Sequence, residues 1–399
     1  MVLNADLEGL IRQLTAINSQ DSRFSGEQFM VNPASVELQL PYLQRDLIVI
    51  KVGGKLLLDE KEPDEELTKR EQVVQTMALL SKLGLNVFLI HGGQEQLDRA
   101  IAESELSDEE KEMAMLKDGE VRYTPQIVMS LIVNTSNSLS RGLKHDIIAA
   151  GGNANAYLSS LFMGNRKPYF TDETTGTTYD DNNFGQLRLD DSLRTVYGAG
   201  EPSREARVLN YLSGALDHET DAPGHIVIRG FLVNYRDHLN SKRSRITSSG
   251  RHYDPFVLNG DADIIAAAHA LYFADKPIVP VTDGADVQFL RPEMIHLTEI
   301  ARNGGLRASP NDYDSIVDIV ASEADLIKRD IEGGMDSKAR TNLQLARALD
   351  KIGVQSIVKT EHIKELLPDL FGNEKANRER YGKGFGTTFA PRGLKPYTK

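Results

Sequence analysis

Two apolar runs, each ending in a pair of glycines, constrain this chain more than any other feature of its sequence. "LIVIKVGG" covers residues 47–54 and "NVFLIHGG" covers residues 86–93. Each run has strand composition, and each glycine pair closes it just before a helical stretch. Between them, Val73, Val74, Met77, Leu80 and Leu83 recur at helical spacing over about 67–83, with Gly84 as the stop. Strand, helix, strand, helix in succession predicts a mainly parallel sheet with helices on both faces.

The alternation continues along the chain. A long helix is expected over about 125–144, and "DIIAAGG" (146–152) reads as a strand. Residues 164–222 are polar and weakly periodic. "HIVIRGF" (225–231) reads as a strand, 262–274 as a helix, "PIVPVTDG" (277–284) as a strand and 336–352 as a helix. "GVQSIVK" (353–359) reads as the last strand, and the glycine-rich tail "GKGFGTTFAPRG" as loop. Residues 1–45 look like an extension carrying one amphipathic helix, with Leu7, Leu10, Ile11 and Leu14 on one face. An unpartnered apolar stripe of that kind suits packing on a second subunit. With 399 residues the chain is long enough for two lobes. The expected division is 46–230 and 231–399.

Composition narrows the function. A formal net charge of −12 argues against a general nucleic-acid binder, and no run approaches the ~20 apolar residues of a membrane span. The start "MVLNADLEGLIRQL" lacks the basic and apolar regions of a secretory signal, so the cytoplasm is expected. With no cysteine there is no disulfide or thiolate site. An anionic small molecule would need a local cation cluster within this acidic field.

Ligands of parallel sheets gather beyond the carboxyl ends of the strands. Five features are expected there: Lys51 with Gly53-Gly54, His91 with Gly92-Gly93, "LNGDAD" (258–263), "VTDGAD" (281–286) and "EGGMDSK" (332–338). Each glycine pair reads either as a plain strand-to-helix turn or as a cradle of N–H donors for an anion. Their recurrence favours the cradle. Lys51, closing an apolar strand, either snorkels or meets an anionic partner. The P-loop pattern, GxGxxG, HExxH and GxSxG are all absent, and no metal-binding set of residues stands out.

Taken in order, "IVIKVGGK", "LIHGGQEQLDRA", "EVRYTPQIV", "LNGDADIIAAAHAL", "VTDG" and "EGGMDSKARTNLQLA" resemble the amino-acid kinase family, and within it the acetylglutamate kinases. The resemblance implies an αβα sandwich in two lobes, the first for the acceptor and the second for ATP. It implies ATP-dependent phosphorylation of the γ-carboxylate of N-acetyl-L-glutamate, with Mg²⁺ on the nucleotide, in arginine biosynthesis. Lys51 and Lys338 would neutralise the transferring phosphoryl group, held in place by Asp263. Gly53, Gly54, Gly92 and Gly93 would surround that group with N–H donors. Arg122 would fork onto the acceptor's α-carboxylate and Asn259 would touch the acceptor. Asp283 and Gly334 would lie on the nucleotide side. A homo-oligomer, dimer or hexamer, is implied as well. Gln94 departs from the family's usual third glycine, and Lys55 from a small or apolar residue. The alternatives are a family member with another small acceptor, or a non-catalytic sensor.

Overall fold

The computed structural model describes residues 47–61, 63, 66–115, 117–118, 121–157, 162–166, 170–171, 176–179, 182–186, 224–235, 257–275, 292–298, 358–371 and 387–389. Positions 9, 36, 40, 341, 342 and 345 are described singly. Early in the chain lie β1 (Leu47–Val52), β2 (Asn86–His91), β3 (Lys117–Asp118), β4 (Val121–Arg122) and β5 (Ala154–Ala156). Then come β6 (Met163–Arg166), β7 (Phe170–Thr171), β8 (Thr178–Tyr179), β9 (Phe184–Gln186), β10 (Ile226–Arg229) and β11 (Leu232–Tyr235). The last are β12 (Val257–Gly260), β13 (Pro292–Thr298), β14 (Val358–His362) and β15 (Thr387–Phe389). The α-helices whose bounds are described are α1 (Lys69–Lys82), α2 (Gln94–Ala102), α3 (Asp108–Met115), α4 (Met129–Ala149), α5 (Ala262–Asp275) and α6 (Ile363–Phe371).

Seven strands form one sheet in the order β15-β14-β13-β1-β2-β10-β5. Every described pairing in it is parallel except that of β15 with β14. This is the mainly parallel α/β sheet that the glycine-closed runs imply. Alternate residues serve opposite faces. Ile48, Ile50 and Val52 of β1, with Val87 and Leu89 of β2, join Val73, Met77 and Leu80 of α1, Leu143 and Ile147 of α4, and Leu366 of α6 in one core. Burying each such side chain is worth about 1.5–3 kcal/mol before the entropy of ordering it. Helix α5 packs against β1, β2 and β13. Val36 and Leu40, both helical, are buried in the core beside α1. The end of the expected extension is therefore part of the domain.

Helix α1 shows how tightly local chemistry sets an element. Thr68 accepts from the Glu71 N–H at 3.2 Å while Glu71 accepts from the Thr68 N–H at 2.7 Å, a capping box. At the other end Gly84 takes φ 80°, and the Leu85 N–H donates to the Leu80 carbonyl at 3.0 Å. Arg70 reaches Asp146 through Nε at 3.1 Å and Nη2 at 2.7 Å, joining α1 to α4.

Four expectations need correction. "DIIAAGG" is not a strand: Asp146–Ala149 closes α4, because Leu139, Leu143 and Ile147 continue a buried stripe at a four-residue interval. The strand follows at Ala154–Ala156. The weakly periodic segment holds β6 to β9, and β6, β9, β11 and β12 close into a small barrel. The last strand is not "GVQSIVK" alone; β14 runs to His362, and Thr387–Phe389 in the glycine-rich tail pairs beside it. "LNGDAD" closes β12 of the small barrel and opens α5, rather than following a strand of the main sheet. "PIVPVTDG" lies outside the described residues, as do the 7–17 helix, apart from Gly9, and most of 336–352.

Candidate functional site

The register of β1 on β2 sets Val52 beside His91, so the Gly53-Gly54 and Gly92-Gly93 loops leave the sheet as neighbours. The Gly92 N–H donates to the Val52 carbonyl at 2.9 Å and ties the loops together. A Cβ on Gly54 would lie 3.2 Å from the Gln94 nitrogen and 3.3 Å from the Gly93 nitrogen; one on Gly92 would lie 3.3 Å from the Gly54 nitrogen. Close backbone approach therefore calls for glycine at both positions. Gly53 differs, since a Cβ there meets nothing within 4 Å. Gln96 Nε2 donates to the Gly54 carbonyl at 3.0 Å.

Among the described residues, none accepts from the N–H groups of Gly54, Gly93 or Gln94. Gly93 is the N-cap of α2 and carries no side-chain cap. Three neighbouring donors, two of them at a helix N-terminus, suit an anion. Gln94, in place of a third glycine, still offers its backbone nitrogen.

Lys51 is buried, with 5% of its surface exposed. Its neighbours Ile50 and Val52 face the α1 side, so the pleat turns Lys51 toward the face that α5 covers. Asp263 is the second residue of α5. The Gly260 N–H before it donates to the Phe231 carbonyl at 2.8 Å, which sets the start of α5 at the carboxyl end of the sheet.

Phe231 links the two halves of the site. Its ring occupies the space that a Cβ on Gly93 would need, and its carbonyl holds Gly260, next to Asn259. Asn259, 5% exposed, donates from Nδ2 to Thr124 Oγ1 at 3.2 Å. Its N–H donates to the Asn183 carbonyl at 3.1 Å, and the Asn183 N–H donates to the Thr124 carbonyl at 2.7 Å. Asn182 Oδ1 accepts from the Thr124 N–H at 3.2 Å and from the Phe184 N–H at 2.9 Å. Arg122, in β4 beside Lys117, stands two residues before Thr124. Arg122 and Asn259 thus belong to segments tied to one another. Lys338, Asp283 and Gly334 lie outside the described residues.

Sequence reasoning placed His91 at a strand end beside Gly92-Gly93 but gave its imidazole no role. It is fully buried between the sheet and α4. Nδ1 lies 3.0 Å from the Gly92 carbonyl and Nε2 lies 2.7 Å from Ser140 Oγ. Burial first, then the Arg70 charge, lower its pKa to about 4, against the opposing pull of the Gly92 hydrogen bond. The ring is neutral at pH 7, and a carbonyl only accepts. Nδ1 therefore carries the proton, and Nε2 accepts from the Ser140 hydroxyl. Asn182 and Asn183 were also missed; their signal is a paired asparagine directly before a short aromatic-glycine strand, "NNFG".

With the glycine loops, Lys51 and the Asn259 segment in place, the likeness to known proteins can be set beside the geometry. Residues 46–180 match the amino acid kinase family. That stretch holds Lys51, both glycine pairs and Arg122. Acetylglutamate kinase of Lactococcus lactis subsp. cremoris (strain MG1363) is 28% identical over 107 residues, which are 27% of this chain and 33% of that protein. The protein of that name from strain SK11 is 32% identical over 109 residues, again 27% of this chain and 33% of that protein. The chain thus spans a third of the length of these relatives. N-acetylglutamate synthase from Neisseria gonorrhoeae, complexed with coenzyme A and L-arginine, superposes at TM-score 0.46 with 17% identity, over 90% of this chain and 65% of that one. Carbamate kinase from Giardia lamblia bound to AMP-PNP does so at 0.41 with 11% identity, over 87% and 98%. Among the described residues no helix is long and apolar enough to cross a membrane, and no three His, Asp or Glu gather as a metal site.

Proposed function

We propose that this protein is an ATP-dependent kinase that phosphorylates the γ-carboxylate of N-acetyl-L-glutamate, giving N-acetylglutamyl phosphate for arginine biosynthesis in the cytoplasm. The observation that carries the reading is the meeting of the two glycine loops, whose N–H groups at Gly54, Gly93 and Gln94 have no acceptor among the described residues, at the end of the strand that holds buried Lys51. A carboxylate oxygen of the acceptor attacks the γ-phosphorus of ATP. The bond from that phosphorus to the bridging oxygen breaks, and ADP leaves. The acceptor is already ionised at pH 7, so no general base is needed. Catalysis reduces to alignment and charge stabilisation.

In this reading Lys51 and Lys338 balance the charge of the phosphoryl group, and Asp263 holds the lysines. Gly54 and Gly93 donate to its oxygens from opposite loops, while Gly53 and Gly92 let the nucleotide and acceptor approach. Arg122 forks onto the α-carboxylate, where a lysine is a poor substitute. Asn259 lies against the acceptor, and Asp283 and Gly334 against the nucleotide. Mg²⁺, brought in with the nucleotide, would supply further neutralisation of the phosphate charge. The lobes are 46–230 for the acceptor and 231–399 for ATP, and the protein assembles as a homo-oligomer.

The test is ADP release with Mg-ATP and hydroxylamine, over N-acetylglutamate, N-acetylaspartate, N-acetylaminoadipate, glutamate, carbamate, UMP and isopentenyl phosphate. Hydroxamate formed with N-acetylglutamate, and lost in Lys51→Ala and Lys338→Ala, supports the reading. Turnover with another acceptor alone replaces the substrate and keeps the kinase. Wild-type turnover in both lysine variants would overturn the mechanism.

A further inference from the structure

The Gly92–Gly93 peptide is held from behind. Its carbonyl accepts from His91 Nδ1 at 3.0 Å, and the ring is in turn fixed by the Ser140 hydroxyl on α4 at 2.7 Å from Nε2. Carbonyl and N–H of a trans peptide point in opposite directions, and no described peptide here is cis. With the carbonyl turned to His91, the Gly93 N–H points away from the ring. Gly54 is close by: a Cβ placed on it would lie 3.3 Å from the Gly93 nitrogen. Two glycines in sequence have little intrinsic preference for one peptide orientation. Something else must choose it.

We propose that His91 is a positioning residue: through Nδ1–H it holds the Gly92–Gly93 peptide so that the Gly93 N–H faces the gap shared with Gly54. Ser140 completes the device. By donating to Nε2 it keeps the proton on Nδ1, since the other tautomer would set a lone pair against the Gly92 carbonyl. Gly230 leaves room for the ring, because a Cβ there would lie 3.2 Å from His91 Cε1 and collide with Ser136 Oγ. The edge of Phe231 closes the near side of the ring, 6.1 Å between centroids. Arg70 is the charged group that acts on the imidazole, and nothing in the device requires His91 to change charge. The kinetic consequence rests on the kinase reading; the orientation of the peptide does not.

The experiment compares crystal structures and kinetics of wild type, His91→Asn and His91→Gln. The amide nitrogen of asparagine stands near the place of Nδ1, and that of glutamine near the place of Nε2. His91→Asn should keep the peptide as in wild type and turnover within about threefold. His91→Gln should turn the peptide or split it between two orientations, lowering kcat by up to about 100- to 1000-fold with KM for ATP nearly unchanged, as for one lost donor at a developing charge. Should His91→Gln fail to fold, Ser140→Ala gives the same reading, because loss of its hydroxyl frees the ring to change tautomer. An unchanged peptide in every variant that folds overturns the proposal. A turned peptide in a protein whose wild type phosphorylates nothing upholds it and refutes the kinase instead.

Discussion

Replacing Asn182 by alanine tests the scaffold around the acceptor side. Asn182 is 1% exposed, and its Oδ1 accepts from two backbone N–H groups, Phe184 at 2.9 Å and Thr124 at 3.2 Å. Alanine leaves both donors buried without a partner, at about 1–3 kcal/mol each. The longer bond belongs near the lower end, so the sum is about 2–4 kcal/mol, a large part of the about 5–15 kcal/mol that holds most proteins folded. For a chain of 399 residues the melting temperature should fall by about 2–5 °C. Asn182→Asp retains an accepting oxygen and should recover part of the loss. Thr124 also accepts from Asn259, so the acceptor's KM should rise in Asn182→Ala while that of ATP stays level. Urea and thermal unfolding of the three proteins, with both KM values, make the assay. A wild-type midpoint in Asn182→Ala would refute the reasoning.

Gly93→Ala should be destabilised by about 1–3 kcal/mol, because its Cβ would collide with Phe231 and sit 2.9 Å from Leu139 Cδ1. Gly54→Ala, whose Cβ meets only backbone nitrogens and Gln96 Oε1 at 3.2–3.3 Å, should keep more of its stability yet lose activity; equal melting temperatures for wild type and Gly93→Ala would contradict this. Acid should weaken the fold through His91. Its folded pKa, about 4, lies below the usual 6.5, so the unfolded chain binds the proton first; stability is intact above about pH 6.5 and falls toward pH 4. Between pH 6.5 and 4.5 the loss should be about 2 kcal/mol. Buried His269, also lowered, adds in the same direction. Urea midpoints across that range should slope less in His91→Asn, and identical slopes would remove His91 from the account.

What could be read from the sequence was what is locally determined. Strands β1 and β2, their glycine pairs, helix α1 with its glycine stop, and α5 were legible because each carries its own period or stop signal. Elements that owe their form to distant partners were not. The strands β6 to β9 are two to four residues long, too short for a pattern, and Phe184 becomes strand by pairing with Asn259. Strand β13 went unread although it lies beside β1 at the centre of the sheet. "DIIAAGG" misled because Ile147 and Ile148 suit a strand, while the stripe that keeps them helical begins two turns earlier. At the site, the donors were visible in the glycines. The groups that aim them, His91, Ser140 and Gln96, were not, since none has a signature apart from its partner.

The sheet order has a consequence for how the chain is made. Strand β1 is flanked by β2 on one edge and β13 on the other. The first partner follows within one helix, but about 240 residues separate Val52 from Pro292, and at about 5–20 residues per second a ribosome needs on the order of 10–50 s to supply them. Throughout that interval the most apolar strand of the core presents a bare hydrogen-bonding edge to its surroundings. Until Pro292 is made the sheet stays open on that side of β1, and its closure waits on a strand about 240 residues downstream.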